Sequence, residues 1–338
     1  MTTRIRRAEP ADIPAIAALL LEDARRREAL DHDLWAVAPD APARVTAGLR
    51  TLADPVTGPF THHWMVAEAG GTVRAVAHGV NVPAPPIVDL HGGTAGILLD
   101  DSHLGADGET AAALLAQTER VLADAGAVLL VAATPAGWTG RTRLLQAAGY
   151  EPTTLYMAKT GFGGDGQADS PARPATEADV DGIARLSARH RADLQAANPV
   201  FWNIHAEADA RFAAWMRTSL GFADRSIFVT GRPERIDGYI IAQPGSPLHL
   251  PPAHEAARVG LIDDFHAGAF EPFDGDGDGG SWDRAAALLD AAETAFRAKG
   301  LDTAMAICPA RFTAKAGLLE ARGYRTANLW TVKARLPS

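Results

Sequence analysis

The chain is poor in cysteine. Among 338 residues there is one, Cys308, so no internal disulfide forms and a cysteine-based structural zinc site is excluded. The apolar run Thr303-Ala304-Met305-Ala306-Ile307 in front of it reads as a buried strand, and Cys308 as a buried, inert thiol. A basic excess is also missing. Lys and Arg total 32 against 41 Asp and Glu, giving a formal net charge of -9. Non-specific nucleic-acid binding needs a basic face, so nucleic acid is excluded as a partner, whereas a cationic or amine ligand is compatible. Long apolar runs are absent too. The charged start (Arg4, Arg6, Arg7) is followed by no uninterrupted hydrophobic stretch, so neither a signal peptide nor a membrane span is expected. A soluble, cytoplasmic protein follows by default.

What the chain has is the same text twice. Ala8-Glu9-Pro10-Ala11-Asp12-Ile13 recurs as Ala175-Thr176-Glu177-Ala178-Asp179-Val180, and the same offset of 167 carries Trp35 onto Trp202 and Arg44 onto Arg211. Leu98-Leu99-Asp100-Asp101, His103 and Gly105-Ala106 recur as Leu261-Ile262-Asp263-Asp264, His266 and Gly268-Ala269, offset 163. Glu119, Leu144-Leu145, Gly149-Tyr150 and Lys159 recur as Glu293, Leu318-Leu319, Gly323-Tyr324 and Lys333, offset 174. Matches in one order along the whole chain mean a duplicated domain of ordinary size, not a short-period solenoid. The expected division is a unit at 1–160, a Gly-rich polar linker at 161–171 and a second unit at 172–338. A hydrophobic content of 47% suffices for two cores.

Each unit reads β, α, α, β, β, β, α, β, α, β: an α/β domain with a mixed sheet flanked by helices. That order, with a Gly-aromatic pair before the last strand, resembles the GNAT superfamily of N-acetyltransferases. Leu318-Leu319-Glu320-Ala321-Arg322-Gly323-Tyr324 is similar to the family's Leu-Tyr-Glu-x-x-Gly-Phe. The passage Ala175–Asp179 and the helix from Ala285 to Ala298 also look like their family counterparts. The doubled arrangement is similar to tandem members such as mycothiol synthase.

The resemblance implies acetyl transfer from acetyl-CoA, as co-substrate, to the amine of a small molecule. A monomer that is internally a pseudo-dimer, or a homodimer, is implied, without nucleic-acid or membrane partners. The family's pyrophosphate loop leads into a helix start, where backbone N–H groups and the helix dipole meet the phosphates. The corresponding positions here are Ser102, His103, Gly105, Ala106, Gly108 and Thr110 in the first unit, and Phe265, Gly280, Ser281 and Arg284 in the second. The first unit keeps the family's ordinary loop length, whereas the second is longer by 174 − 163 = 11 residues, so the donor is expected in the first. Asp107 and Glu109 oppose phosphate there, whereas Arg284 favours the second unit. Leu145 and Leu319 stand where the family's tyrosine protonates the departing thiolate, so any transfer needs another acid. The rival reading is a non-catalytic binding protein with degenerate CoA loops.

Asp263, Asp264 and His266 are the expected catalytic groups, one of the aspartates taking the amine proton directly or through water. Period-two alternation puts neighbouring aspartates on opposite faces, so only one of each pair should face the cleft. His205, His249 and His254 read as surface residues. Asp274-x-Asp276-x-Asp278-Gly279 begins like a calcium loop but has Ala285 at position twelve, so no metal is expected. Phe201 and Trp202 lie where the family builds its acceptor wall, with core packing the plainer reading.

Overall fold

The computed structural model describes residues 3–105, 107–162, 170–246, 249–268 and 279–334. The first half of the chain supplies β1 (Arg4–Arg7), α1 (Ile13–Glu28), α2 (Ala41–Gly48), the short β2 (Val56–Thr57), β3 (Phe60–Ala69), β4 (Thr72–Pro83), β5 (Thr94–Leu98), α3 (Gly108–Asp124), β6 (Ala127–Pro135), α4 (Thr139–Ala147) and β7 (Glu151–Thr160). The second repeats the order with β8 (Arg173–Pro174), α5 (Val180–Ala197), α6 (Ala208–Ser219), β9 (Ser226–Arg232), β10 (Arg235–Pro244), β11 (Val259–His266), α7 (Gly279–Ala298), β12 (Thr303–Pro309), α8 (Thr313–Ala321) and β13 (Arg325–Ala334). Gly149 and Gly323, at φ 88° and 84°, end α4 and α8 in the left-handed conformation that a side chain would strain.

The central strands are apolar on both faces because helices cover both. In β3, Met65 and Ala67 pack with Leu114, Leu115 and Leu122 of α3. Trp64 and Val66 pack with Ile16, Leu20 and Val45 of α1 and α2. In the second half, Ile240 and Ala242 of β10 meet Leu288, Leu289 and Phe296 of α7, and Tyr239 and Ile241 meet Ile183, Leu186 and Phe212 of α5 and α6. Alternation along a strand sorts its residues between the two helical layers.

Repetition leads the eye to two separate sheets, but the sheet is continuous. Its order is β1-β3-β4-β5-β6-β13-β7-β12-β11-β10-β9-β8, with β2 beside β3. The last strand of each half pairs with the other half: β13 lies antiparallel to β6, and β7 antiparallel to β12, with β13 and β7 side by side at the centre. Tyr156 and Trp330, equivalent under the offset of 174, meet there with ring centroids 5.1 Å apart. Each exchanged strand brings a lysine onto the other half. Lys159 binds both carboxylate oxygens of Glu293 on α7, at 2.9 and 2.8 Å, and Tyr324 donates to the same carboxylate at 2.9 Å. Lys333 binds Glu119 on α3 at 2.8 Å and stands over the ring of Tyr150. Of the expected linker, Phe162 is buried in the second half's core and Gly161 N–H donates to Asp302. Residues 163–169 lie outside the described residues.

Among the described residues only β5–β6 and β11–β12 are parallel, and their pairing stops at Leu98–Ala132 and Ile262–Ala306 although β6, β11 and β12 run on. Each half therefore opens into a wedge at the end of its Asp-Asp-x-His strand.

Removing a lysine that neutralises a buried carboxylate costs about 3–5 kcal/mol where the pair is wholly buried. Lys159 keeps some solvent contact, so Lys159→Met should lower the urea-unfolding free energy by about 2–3 kcal/mol. Lys159→Met with Glu293→Gln should recover most of that loss. No loss in the single variant would mean that the exchanged strand is not held by this pair.

Candidate functional site

The Asp-Asp-x-His group lies where both ladders slip. Leu99 N–H donates to His78 and His103 pairs with Val76, so Asp100, Asp101 and Ser102 stand opposite Ala77 alone. In the second half Ile262 pairs with Ala242 and Asp264 with Ile241, leaving Asp263 as one extra residue. Bulges of this kind break alternation and re-aim side chains. Asp100 and Asp101 consequently line the same cavity, which corrects the expectation that only one of the pair faces the cleft.

In the first half the chemistry is paired off internally. Asp100 is buried and accepts from the equally buried Arg27 at 2.7 Å and from Asn328, on the exchanged strand, at 2.8 Å. Asp101 accepts from Nδ1 of His78 at 2.8 Å; His78 lies flat on Trp64, and its Nε2 is 2.9 Å from Nδ1 of His62. Burial, aided by His78, lowers His62 to about 4. His103 is 2.9 Å from Asp23. Ser102 is buried, its hydroxyl donating to Leu99 and accepting from His78 N–H. Arg141, from α4, crosses the wedge and donates to the carbonyls of Ser102 and Leu99 at 3.0 and 3.2 Å.

At the start of α3 the Asp107 carboxylate accepts from the N–H groups of Glu109 and Thr110 and from the Thr110 hydroxyl. Those are the donors a phosphate would use at a helix start, and the helix has supplied its own anion. The helix start at Gly105, Gly108 and Thr110, the expected donor loop, therefore presents its first N–H groups to its own side chain. Ala106 lies outside the described residues.

The second half keeps the scaffold and changes the residues. Asp264 accepts from the buried Tyr239 hydroxyl at 2.7 Å and has His190 of α5 at 3.7 Å. His266 stands against His190, ring centroids 5.2 Å apart. Lys315, from α8, donates to the Phe265 carbonyl at 2.9 Å. This contact repeats that of Arg141 with Ser102, residue for residue under offsets of 174 and 163. Asp263 makes no hydrogen bond or ion pair among the described residues, and burial beside Asp264 pushes it up to about 6. Burial also raises Asp264, against the pull of Tyr239, Lys315 and Arg191. Burial lowers His266 to about 4, so its imidazole is neutral at pH 7 and a weak base.

One cavity is lined by the first-half groups, and a second lies in the second half beyond the end of β11, with none of Asp263, Asp264, His266 or Lys315 in its lining. The first-half cavity, between α1, α2, Trp64 and the bulge, holds only 20 Å³, room for about one water. Pro251, Pro252, Ala253 and His254 of the other half close it. They belong to the β10–β11 connection, which crosses over so that Val37 pairs with His254 and Ala38 N–H donates to Ala253. His254 is therefore buried, its Nδ1 2.9 Å from the Trp35 carbonyl, and not at the surface as expected. The β4–β5 connection returns the favour, Val88 pairing with Ile204. The second-half cavity is different: 430 Å³, where β10 begins, β11 ends and α7 starts. Small-molecule sites span roughly 300–1,000 Å³. Arg185 and Arg189 of α5, Arg235 and Arg284 line it, against Glu234 and Asp237. Arg284 also donates to Ser281, in the first turn of α7 with Gly280.

No family model and no curated protein matches the chain. Among solved structures, a GCN5-related N-acetyltransferase from Sphaerobacter thermophilus aligns over 99% of this chain and 96% of its own, at 16% identity and a TM-score of 0.57. The fold is that of the GCN5-related N-acetyltransferases, in tandem. A tandem GNAT protein from the clavulanic acid biosynthesis pathway aligns over 100% of both chains, at 14% identity and a TM-score of 0.49. A GNAT-family acetyltransferase from Colwellia psychrerythraea covers 97% of this chain and 98% of its own, at 9% identity and a TM-score of 0.46.

Sequence reading missed Tyr239, His190, Lys315 and the arginines of α5. Two signals for the shared architecture were available: a cation at both 141 and 315, and a Pro-Pro pair at 85–86 and 251–252, which starts the crossing connections. Phe201 and Trp202 are half-buried and pack into two cores. Cys308 is buried, and burial pushes its thiol up to about 11. Among the described residues no group of three His, Cys, Asp or Glu could hold a metal, and no helix is long and apolar enough to cross a membrane. The acidic stretch 274–278 lies outside the described residues.

Because Asp263 holds its proton up to about 6 when folded and about 3.9 when unfolded, the folded chain binds the extra proton between those values. Its stability therefore falls as pH rises through that window. Asp263→Asn should raise the unfolding free energy by about 1–2 kcal/mol at pH 8 and by less at pH 5. Equal gains at both pH values would place Asp263 in ordinary solvent.

Proposed function

We propose that the chain is an acyltransferase moving an acetyl group from acetyl-CoA to the amine of a small molecule, with one donor site, in the second half. The observation that carries this reading is the contrast between the two helix starts. The first is filled by Asp107; near the second, Arg284 of α7 lines a 430 Å³ cavity that has, among the described residues, four arginines against two acids. Arg185 and Arg189 stand one turn apart on α5 with no described partner, and like charges at that spacing repel unless an anion lies between them. The donor set fits a polyphosphate, and guanidinium forks suit phosphate oxygens. Arg284, Ser281 and the α5 arginines would hold the phosphates, and acetyl-CoA would supply the activated thioester.

The chain's own residues divide the remaining chemistry. An alkylamine is mostly protonated at neutral pH, so it must lose a proton before it attacks. Asp263 suits the role of base. It has no competing partner, and at about 6 it is a stronger base than an ordinary carboxylate while still ionised at pH 7. Asp264 is tied to Tyr239 and orients the far side of the bulge. His266, at about 4, is left as a neutral neighbour. A second reading, a binding protein without turnover, draws on the buried cation across each wedge and on Leu145 and Leu319 in the tyrosine position.

Calorimetric titration with acetyl-CoA should give one site. Arg189→Ala with Arg284→Ala should weaken it more than about tenfold, and Gly108→Trp should leave it unchanged. Two sites, or loss of binding in Gly108→Trp, would contradict the placement, and no heat at all would contradict the function.

A further inference from the structure

We infer that Lys315 is the acid that protonates the departing thiolate, standing in for the tyrosine that Leu319 replaces. The inference rests on the donor site proposed for the second half. Lys315 precedes Leu319 by one turn of α8, so both side chains leave the same helix face. Its Nζ is buried and reaches across the wedge to the Phe265 carbonyl at 2.9 Å, beside the Asp263–Asp264 bulge. The donor proposed above would lay its acyl group along β11, and Lys315 carries a proton to that strand. The groups facing it are Asp264 and His266 of β11, His190 of α5 and Cys308 of β12. Burial holds the ammonium below the ordinary lysine range, which makes it a readier proton donor.

The duplicated half supplies an internal control. Arg141 makes the same hydrogen bond from the equivalent position, but a guanidinium does not release its proton in a protein. Both residues can brace the wedge; only the lysine can also act as an acid.

In the transfer, the amine nitrogen lone pair attacks the thioester carbonyl and forms the C–N bond, and the C–S bond breaks with its electron pair on sulfur. Asp263, which has already passed the ammonium's first proton to solvent, takes the second from nitrogen as the C–N bond forms, and Lys315 gives one to sulfur. The neutral amine of Lys315 and the protonated carboxyl of Asp263 then exchange one proton through solvent, which resets both. No oxidant or reductant is involved.

Two measurements test this. In the free protein, ¹³C-labelled lysine should show Lys315 titrating below the ordinary lysine range. A value within or above that range would overturn the assignment. With acetyl-CoA and hydroxylamine as probe nucleophile, thiol release should fall about 10²–10⁴-fold in both Lys315→Met and Lys315→Arg, with acetyl-CoA affinity changed only a few-fold. An acetyl aryl thioester, whose thiolate leaves without a proton, should restore the rate in both variants. Full activity in Lys315→Arg would mean that the residue only braces the wedge. A wild-type chain that binds acetyl-CoA yet releases no thiol overturns this inference alone, whereas one that does not bind overturns the donor site as well.

Discussion

The exchange of the last strands is the constraint on which the rest of the structure depends. By placing β13 against β6 and β7 against β12, the chain turns two units into one sheet. It also makes each half finish the other's core. Lys159 on Glu293 and Lys333 on Glu119 hold the exchange from both sides. The exchange also builds the sites. Asn328, on the visiting strand, holds Asp100 in the first half. The crossing connections that begin at the Pro-Pro pairs reach over the same central seam, one to wall the first-half cavity and one to brace the neighbourhood of α6.

The halves have diverged by substitution at fixed positions. Under the offset of 167, Asp23 becomes His190 and Arg27 becomes Leu194; under 174, Arg141 becomes Lys315. Each change loosens a tie. In the first half Arg27 neutralises Asp100, and His78 donates a hydrogen bond to Asp101. In the second, Asp263 loses its counter-ion and is left as a base near neutrality. A duplicated scaffold can give up reactivity in one copy for rigidity while the other stays open. Buried, hydrogen-bonded polar networks confer that rigidity.

Much of this was legible in the residues. The repeat and the helix-ending glycines gave the element order, and Asp-Asp-x-His marked the strand ends where both ladders slip. The exchange was not legible, for a physical reason. Lys159 and Lys333 sit at the same position of strands with the same length and a similar alternation, so pairing at home and pairing across satisfy the same apolar pattern, and only three-dimensional reach decides. The bulge was hidden because alternation assumes an unbroken ladder, and two adjacent aspartates carry no mark of which one is extra. Asp107 read as repulsion toward phosphate, whereas its role as a helix cap depends on backbone N–H groups that only the folded turn presents. Arg185 and Arg189 were missed because only the turn of β9 and β10 places Arg235 opposite them.

The exchange is tested most directly by cutting the chain between its halves. A protease site inserted between Phe162 and Ser170, cleaved in the folded protein, leaves two fragments joined by no peptide bond. If the last strands are exchanged, native mass spectrometry after dilution to nanomolar concentration will find a single species with the mass of both fragments, which separate only when unfolded. Two folded species of half the mass would contradict the exchange, and with it the shared construction of both sites.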